Sequence, residues 1–152
     1  MPPGAGVAVP RRYGERTVVK TAEAATRGAY AVRENSVPAG FGGVPLHLHR
    51  EAEEAFYVLE GELTVFAEDR TLAAPAGSFL LIPRGTVHSF ANHGTVGARW
   101  LTVISPAWVS GWVEEEGKLL QSSSSGVPEP AQQAALYAKY GLEIVGPPPP
   151  AP

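Results

Sequence analysis

The chain has 152 residues and a net charge of −3, and its lysines and arginines are scattered. This length supports one domain with a buried core, and no basic cluster offers a surface for nucleic acid. The absence of cysteine excludes disulfides, thiolate metal sites and thiol nucleophiles, so a metal would need nitrogen and oxygen ligands.

The predicted elements begin after an N-terminal arm over residues 1–16, where prolines and glycines interrupt regular structure. Short runs of β-branched and aromatic residues then alternate with turns, which is typical of an all-β sandwich or small barrel. Glu60-Gly61 separates two such runs and predicts a tight hairpin. The predicted strands are 17–22, 28–37, 47–49, 54–60, 62–67, 70–74, 79–83, 86–92 and 98–106.

The pattern changes after Pro106. A short helix is predicted over 107–120, and the composition of 121–126 is that of a flexible linker. A second helix is predicted from Pro130 to the residue before Gly141. We therefore divide the chain into a flexible arm (1–16), a β-barrel (17–117), a linker with a C-terminal helix (118–145) and a proline-rich tail (146–152).

The apolar segments of the sequence are short. The N-terminus lacks the continuous apolar region of a signal peptide, and no run approaches the roughly 20 apolar residues that span a bilayer. We therefore expect a cytoplasmic protein without a membrane partner.

Two histidines, His47 and His49, stand one residue apart in "PLHLHREAEEAFYVLEG". Residues i and i+2 of a strand face the same side about 6.6 Å apart, so two imidazoles at this spacing can converge on one ion. Three acids follow, Glu51, Glu53 and Glu54, and the spacing alone leaves open which of them completes a site.

A second histidine segment strengthens the hypothesis of a metal site. His88 follows the predicted turn "PRG", so three histidines from two hairpins would share one ion. The fourth histidine, His93, lies in "NHG" and is predicted to be a solvated turn residue.

Residues 38–105 resemble the cupin superfamily, whose members carry the motifs G-x5-H-x-H-x3-4-E-x6-G and G-x5-P-x-G-x2-H-x3-N. The first motif departs only at its leading glycine, where Phe41 stands. The matching positions are His47, His49, Glu54 and Gly61 in the first motif, and Gly77, Pro83, Gly85, His88 and Asn92 in the second. The resemblance implies a single jelly-roll barrel, or double-stranded β-helix, with a short C-terminal helical segment.

The resemblance also implies a site. Residues at the matching positions of cupins bind metal, which assigns His47, His49, Glu54 and His88 as ligands of one divalent transition metal, Fe, Mn, Ni, Co, Cu or Zn. Glu54 fits the motif spacing to Gly61 better than Glu53 does, and it is also the expected catalytic residue.

Function follows from the resemblance as an expectation. The ending "AKYGLEIVGPP" resembles that of small bacterial cupins similar to quercetin dioxygenase. The favoured hypothesis is a homodimeric dioxygenase that acts on a small phenolic or enolisable substrate with dioxygen. Two others stay open: a non-redox cyclase, isomerase or decarboxylase like the aromatic polyketide cyclases, and a cupin that binds a small molecule without turnover.

Overall fold

The structure is a computed structural model that describes residues 1–2 and 4–151. Pro3 of the predicted arm and Pro152 of the predicted tail lie outside the described residues. The described strands are β1 (Val7–Val9), β2 (Arg16–Thr21), β3 (Ala31–Val37), β4 (Leu46–His49), β5 (Glu53–Glu60), β6 (Glu62–Ala67), β7 (Arg70–Pro75), β8 (Phe79–Ile82), β9 (His88–Ala91), β10 (Ala98–Ser105) and β11 (Leu142–Gly146).

The strands form two antiparallel sheets. One has the order β1-β2-β3-β10-β5-β8, and the other has the order β11-β4-β9-β6-β7. Consecutive strands such as β5 and β6 lie in different sheets, which is the crossover pattern of a jelly roll. The predicted all-β jelly-roll fold is confirmed, although the two sheets form a sandwich rather than a closed barrel.

The core fills the space between the sheets. Phe56 and Trp100 of the first sheet and Leu63 and Val65 of the second are almost completely buried. They belong to one hydrophobic cluster that also includes Val37, Phe41, Val44, Val58, Ala74, Ile82 and Ala98. From the sequence, the interior of β10 could be either Trp100, Thr102 and Ile104 or Leu101 and Val103. In the structure the first set faces inward.

The sequence makes Phe79 and Leu81 candidates for the interior of the barrel, and this prediction is wrong. Phe79 pairs with Tyr57 and Leu81 with Ala55, and cross-strand partners share a face of the sheet. That face is the outer one, so Phe79 is 65% exposed and Leu81 is 59% exposed. The run FLLI is apolar at every position and therefore lacks the alternation that would identify its inner face.

The turn at Gly61 also differs from the prediction. It follows β5 and precedes β6, but these strands do not pair, so the turn passes the chain between sheets instead of closing a hairpin. Gly61 has φ of +69°, and a Cβ there would lie 2.3 Å from the Gly97 carbonyl oxygen. A side chain is excluded at this position on both grounds.

Helices and terminal strands cover one side of the sandwich. The helices are α1 (Glu23–Thr26), a 3₁₀ helix (Ala107–Ser110), α2 (Gly111–Ser122) and α3 (Pro130–Lys139). Trp112 and Val113 of α2 and Leu136 of α3 pack with Val9 of β1 and Leu142 of β11. Strand β1 lies in the predicted arm (1–16), and β11 lies at the end of the predicted linker and C-terminal helix segment (118–145) and reaches the first residue of the tail. The division of the chain into domains stays a prediction.

Within the described part of the chain, no helix has the length and apolar character needed to cross a bilayer.

Candidate metal centre

Three strands bring the predicted ligands together. His47 and His49 lie on β4, and His47 pairs directly with His88 at the start of β9. Glu54 lies on β5 in the opposite sheet, so the cluster bridges the two sheets. All four side chains are buried, with exposed fractions between 0% for His88 and 9% for His47.

The distances within this His-His-Glu-His cluster suit one ion. Each residue offers one nitrogen or oxygen atom such that all four atoms lie within 4.8 Å of one another. Glu54 Oε2 lies 3.4 Å from His49 Nε2 and 3.3 Å from His88 Nε2. The cluster therefore suits a divalent metal site.

Two of the histidines are oriented by backbone carbonyls. His47 Nδ1 lies 2.8 Å from the Pro45 oxygen, and His88 Nδ1 lies 2.9 Å from the Thr86 oxygen. A ring that donates from Nδ1 keeps a lone pair on Nε2, which is how metal-binding histidines are usually held. These contacts fit an ion on the Nε2 side of both rings.

The charge states of the proposed ligands also suit a metal ion. Burial lowers the pKa of His47 well below its usual value, and the neighbouring His88 and His49 add to this shift, so the ring is a neutral ligand at pH 7. Burial alone would raise the pKa of Glu54. His49, His88 and the Arg33 guanidinium outweigh that effect and hold the pKa of Glu54 well below its usual value. Glu54 is therefore an ionised ligand.

Arg33 on β3 is buried against Glu54. Its Nη2 donates to Glu54 Oε1 over 2.8 Å, and both side chains are less than a tenth exposed. A buried carboxylate needs such a partner, because an unpaired charge in the interior is costly. One carboxylate oxygen of Glu54 thus contacts Arg33, while the other faces the histidines.

The structure separates the three acids that the sequence left open. Glu51 is exposed, and half-buried Glu53 faces Arg84, whose Nη2 lies 3.3 Å from its carboxylate. Among the described residues, Glu54 is the acid that lies with the histidines. His93 is exposed beside Phe66 and is not part of the cluster.

Asn92, the last residue of the second motif, has a structural role. Its Nδ2 donates to the carbonyl oxygens of Pro38 and Val96, and its Oδ1 accepts from the Gly94 amide. These three bonds hold the loop after β9, the strand that carries His88.

A cavity adjoins the cluster. Its empty volume is about 630 Å³, part of which is open to solvent. One wall is polar, because Thr17 donates to Asn35 and Asn35 donates to Thr102, each over 2.9 Å, beside Arg33. The apolar lining residues are Val44, Pro45, Phe56, Phe90, Trp100, Trp112, Leu142 and Ile144.

Comparison with known proteins finds a similarity to one domain family. Residues 35–104 match the family model described as a cupin domain, and this range contains all four residues of the cluster.

The chain is similar to the cupin domain over residues 35–104, just under half of its length, and its fold is that of cupin structures.

Other matches agree with this family. A stretch of 72 residues is 33% identical to the quercetin 2,3-dioxygenase of Bacillus subtilis (strain 168), and it covers 47% of this chain and 21% of that protein. A stretch of 43 residues is 49% identical to the uncharacterized protein YdbB of the same organism, covering 28% of this chain and 38% of that one. The chain thus spans well under half the length of either curated relative.

Solved structures share the fold. The crystal structure of a predicted oxalate decarboxylase from Thermotoga maritima superposes with a TM-score of 0.57 and 24% identity, over 59% of this chain and 78% of that one. At this identity the match supports the fold alone.

Sequence reasoning missed part of the cavity lining of this protein. Arg11 reaches the cavity from the predicted arm, and Glu116 and Tyr137 reach it from α2 and α3. Arg11 ion-pairs with Glu116, whose other oxygen accepts a bond from the Tyr137 hydroxyl over 2.8 Å. Glu116 lies in an amphipathic helix, and its burial could not be predicted because it depends on the packing of the N-terminal arm against that helix.

The two tryptophans beyond Pro106 have different surroundings. Trp112 is buried, lines the cavity and packs edge-on against Tyr137. Trp108 is 38% exposed and stacks on Tyr140, away from the cluster. Both therefore help to attach the C-terminal helices, and Trp112 also contributes to the cavity.

Proposed function

We propose that this protein is a metal-dependent enzyme that acts on a small molecule in the cavity. The observation that supports the proposal is the buried His-His-Glu-His cluster beside a cavity with one polar and one apolar wall. Sites of this kind, with a few convergent polar groups in an apolar pocket, are typical of small-molecule binding and catalysis.

His47, His49, Glu54 and His88 would hold the ion. Three imidazoles and a carboxylate are suitable donors for Fe, Mn, Ni, Co, Cu and Zn alike, so the donor set does not select one metal. When bound, the ion would supply Lewis-acid polarisation of a substrate oxygen and, if redox-active, a means to use dioxygen.

The other groups would bind and orient the substrate. The aromatic lining offers a flat apolar surface to a phenolic or enolisable ring, and the Thr17–Asn35–Thr102 chain offers hydroxyl and amide groups to its polar edge. Burial of these groups would exclude bulk water from the bound molecule.

Glu54 is the proposed catalytic residue. Its Oε2 lies next to the histidines and would accept the proton of a substrate hydroxyl bound there. Because the pKa of Glu54 is held low, it is a weak base and would accept a proton only from an acidic hydroxyl such as a phenol or an enol. This limit favours phenolic and enolisable substrates over simple alcohols.

Oxygenase chemistry is the specific reaction that we propose. It is supported by the similarity of about half of this chain to a protein named quercetin 2,3-dioxygenase, of which it spans only 21%. The substrate of that relative is carried over as a class, a phenolic or enolisable ring, and not as quercetin itself.

Oxygen consumption tests this reaction. The metal-free chain is loaded with each of the six metals in turn and incubated with phenols, flavonols and 1,3-diketones, while dissolved oxygen and products are recorded. Oxygen uptake with one metal that is lost in His88→Ala is the expected result. Product without oxygen uptake would replace the oxygenase with a cyclase, isomerase or decarboxylase, and binding without product would contradict enzymatic function.

We also propose that the protein is a homodimer. The outer face of the first sheet exposes Tyr57, Phe79, Leu81 and Val103, an apolar group that a second copy would cover. Light scattering during gel filtration tests this, and a monomer at micromolar concentration would contradict it. A cytoplasmic location likewise stays a prediction, which fractionation of the native cells would test.

A further inference from the structure

Unpaired buried donors are concentrated in one place. Among the described residues, four buried side-chain atoms have no hydrogen-bond partner: Arg33 Nε, His49 Nδ1, Trp100 Nε1 and Trp112 Nε1. All four belong to side chains that line the cavity beside the cluster. Buried polar groups are otherwise almost always paired, so their collection around one cavity needs a physical reason.

These atoms are all nitrogens. The guanidinium Nε and the two indole Nε1 atoms can only donate, since neither group has an acceptor. Their side chains are at most 8% exposed, so bulk water is not in general contact with them. A molecule that satisfies them must therefore present acceptors, and oxygen atoms are the obvious kind.

Two of the donors are neighbours. The Arg33 guanidinium carbon lies 5.9 Å from the centre of the Trp112 ring. Arg33 also contacts Glu54 through Nη2, which places this donor pair next to the cluster. A ligand oxygen that accepts from Arg33 Nε would therefore lie beside Trp112, whose indole N–H group also lacks a partner.

The charge of the lining favours an anion once the metal is present. The charged lining side chains other than the histidines are Arg11, Arg33, Glu15, Glu54 and Glu116, which leave one net negative charge. A divalent ion on neutral histidines would change this to one net positive charge, which a singly charged anion neutralises.

We propose that the cavity binds a small monoanion with a carboxylate, phenolate or enolate oxygen on a flat apolar body. Its oxygen atoms accept from Arg33 Nε and from the indole N–H groups of Trp112 and Trp100, and its body lies against Phe56 and Phe90. This inference rests on the proposed function, because the metal provides the positive charge that selects an anion over a neutral molecule.

Benzoate and benzamide form the test pair, because they have nearly the same shape and differ in charge. Their dissociation constants are measured by calorimetry on the chain loaded with Zn²⁺, after elemental analysis of the same sample. We expect benzoate to bind at least about tenfold more tightly than benzamide, since a hydrogen bond to a charged group is stronger than one to a neutral group. Chelation of the metal should remove this preference.

Trp112→Phe tests the donor itself. The variant keeps an aromatic ring but loses Nε1, and the ratio of benzoate to benzamide affinity should fall about fivefold. Trp108→Phe is the matched control, because Trp108 stacks on Tyr140 outside this cavity, and it should leave the ratio unchanged. Arg33→Lys keeps the positive charge beside Glu54 but loses the guanidinium Nε, and it should reduce the ratio in the same way.

The outcomes separate the inference from the proposed function. A chain that takes up no metal overturns both. A chain that takes up metal but binds benzoate and benzamide equally overturns this inference alone. A preference for benzoate that Trp112→Phe and Arg33→Lys both leave unchanged also overturns it, because the anion would then be bound elsewhere.

Discussion

Arg33 is the cationic partner of the buried Glu54 carboxylate. Its guanidinium contacts the Glu54 oxygen that faces away from the histidines, over 2.8 Å, and both side chains are buried. A buried ion pair adds little net stability, because both charges lose their hydration when they are buried. Removal of one partner is nevertheless costly, because it leaves the other charge uncompensated. The residue therefore stabilises the cluster whether or not it also contacts a ligand.

The first prediction concerns this pair. Arg33→Met should lower the free energy of unfolding of the metal-free protein by about 3 kcal/mol, because Glu54 loses its cationic partner. Arg84→Met is the matched control, since Arg84 pairs with Glu53 at the surface, where both side chains are about half exposed, and it should cost less than about 1 kcal/mol. Urea denaturation measures both. Equal losses in the two variants would show that the buried pair has no special role.

The second prediction concerns pH. An unfolded His47 takes up a proton near pH 6.5, whereas in the folded chain its pKa is well below that value. Between these two pKa values the unfolded state binds more protons, so the unfolding free energy of the metal-free protein should fall as the pH is lowered from 7 to 5. One such proton accounts for at most about 1.4 kcal/mol per pH unit.

Glu54 contributes to the pH dependence of the unfolding free energy only at lower pH. Its folded pKa is depressed below 4.5, so its stabilisation is present above 4.5 and is lost only as the pH falls below that value. Between pH 5 and 7 the slope should therefore decrease in His47→Asn and persist in His93→Asn, because His93 is exposed. A slope that is the same in the wild type and in His47→Asn would contradict the assignment.

At the scale of elements, β11 completes the sheet that holds the three histidines of the cluster. Leu142 pairs with His49 and Ile144 with His47, so β4 lies between β11 and β9. The Arg50 amide donates to the Gly141 oxygen over 2.8 Å, and hydrogen-bonded pairs alternate along an antiparallel ladder. The pair of Glu143 and Leu48 is therefore the next hydrogen-bonded pair.

The third prediction tests this strand. Glu143→Pro removes an amide of the ladder, so β4 should become a looser edge strand and metal affinity should fall about tenfold. Glu143→Thr loses the same side chain, including its contact with Arg50, but keeps the amide, and it should leave metal affinity within about twofold. Competition with a chromogenic chelator measures both. Equal affinities in the two variants would mean that β11 does not support the histidine strand.

The elements differ in how far the sequence alone predicts them. The positions of most strands along the chain and the shared face of His47 and His49 were predictable because glycine, proline and the period of two leave local signals in the sequence. The set of four ligands was predictable only from the resemblance to a known family. The inner face of β8 was not predictable, since FLLI is apolar at every position. Strand β11 was not predictable either, because the short run LEIVG pairs only with β4, about a hundred residues away in the chain. The contact of Arg33 with Glu54 likewise depends on two strands that flank β10.

At the scale of the whole molecule, the core and the cluster are separate. The hydrophobic cluster between the sheets contains Phe56, Leu63, Val65 and Trp100, and none of the four proposed ligands belongs to it. Each large apolar side chain contributes about 1.5–3 kcal/mol when fully buried. Folding thus has a source of stability that does not depend on the ion.

The fourth prediction follows from this separation. Removal of the metal with a chelator should leave the β-sheet circular dichroism spectrum intact at room temperature, while the melting temperature falls because the ion binds only the folded state. A small domain built around a structural zinc ion behaves in the opposite way and unfolds on chelation. A coil spectrum after chelation would contradict the prediction.

The central claim is that His47, His49, Glu54 and His88 hold one divalent transition metal ion. The most direct test is the metal-to-protein ratio of the wild type, His88→Ala and His93→Ala, purified identically and measured by inductively coupled plasma mass spectrometry. We expect about one ion per chain in the wild type and in His93→Ala, and much less in His88→Ala, which lacks one of four ligands. Equal metal content in His88→Ala and the wild type, or loss of the metal in His93→Ala, would contradict it.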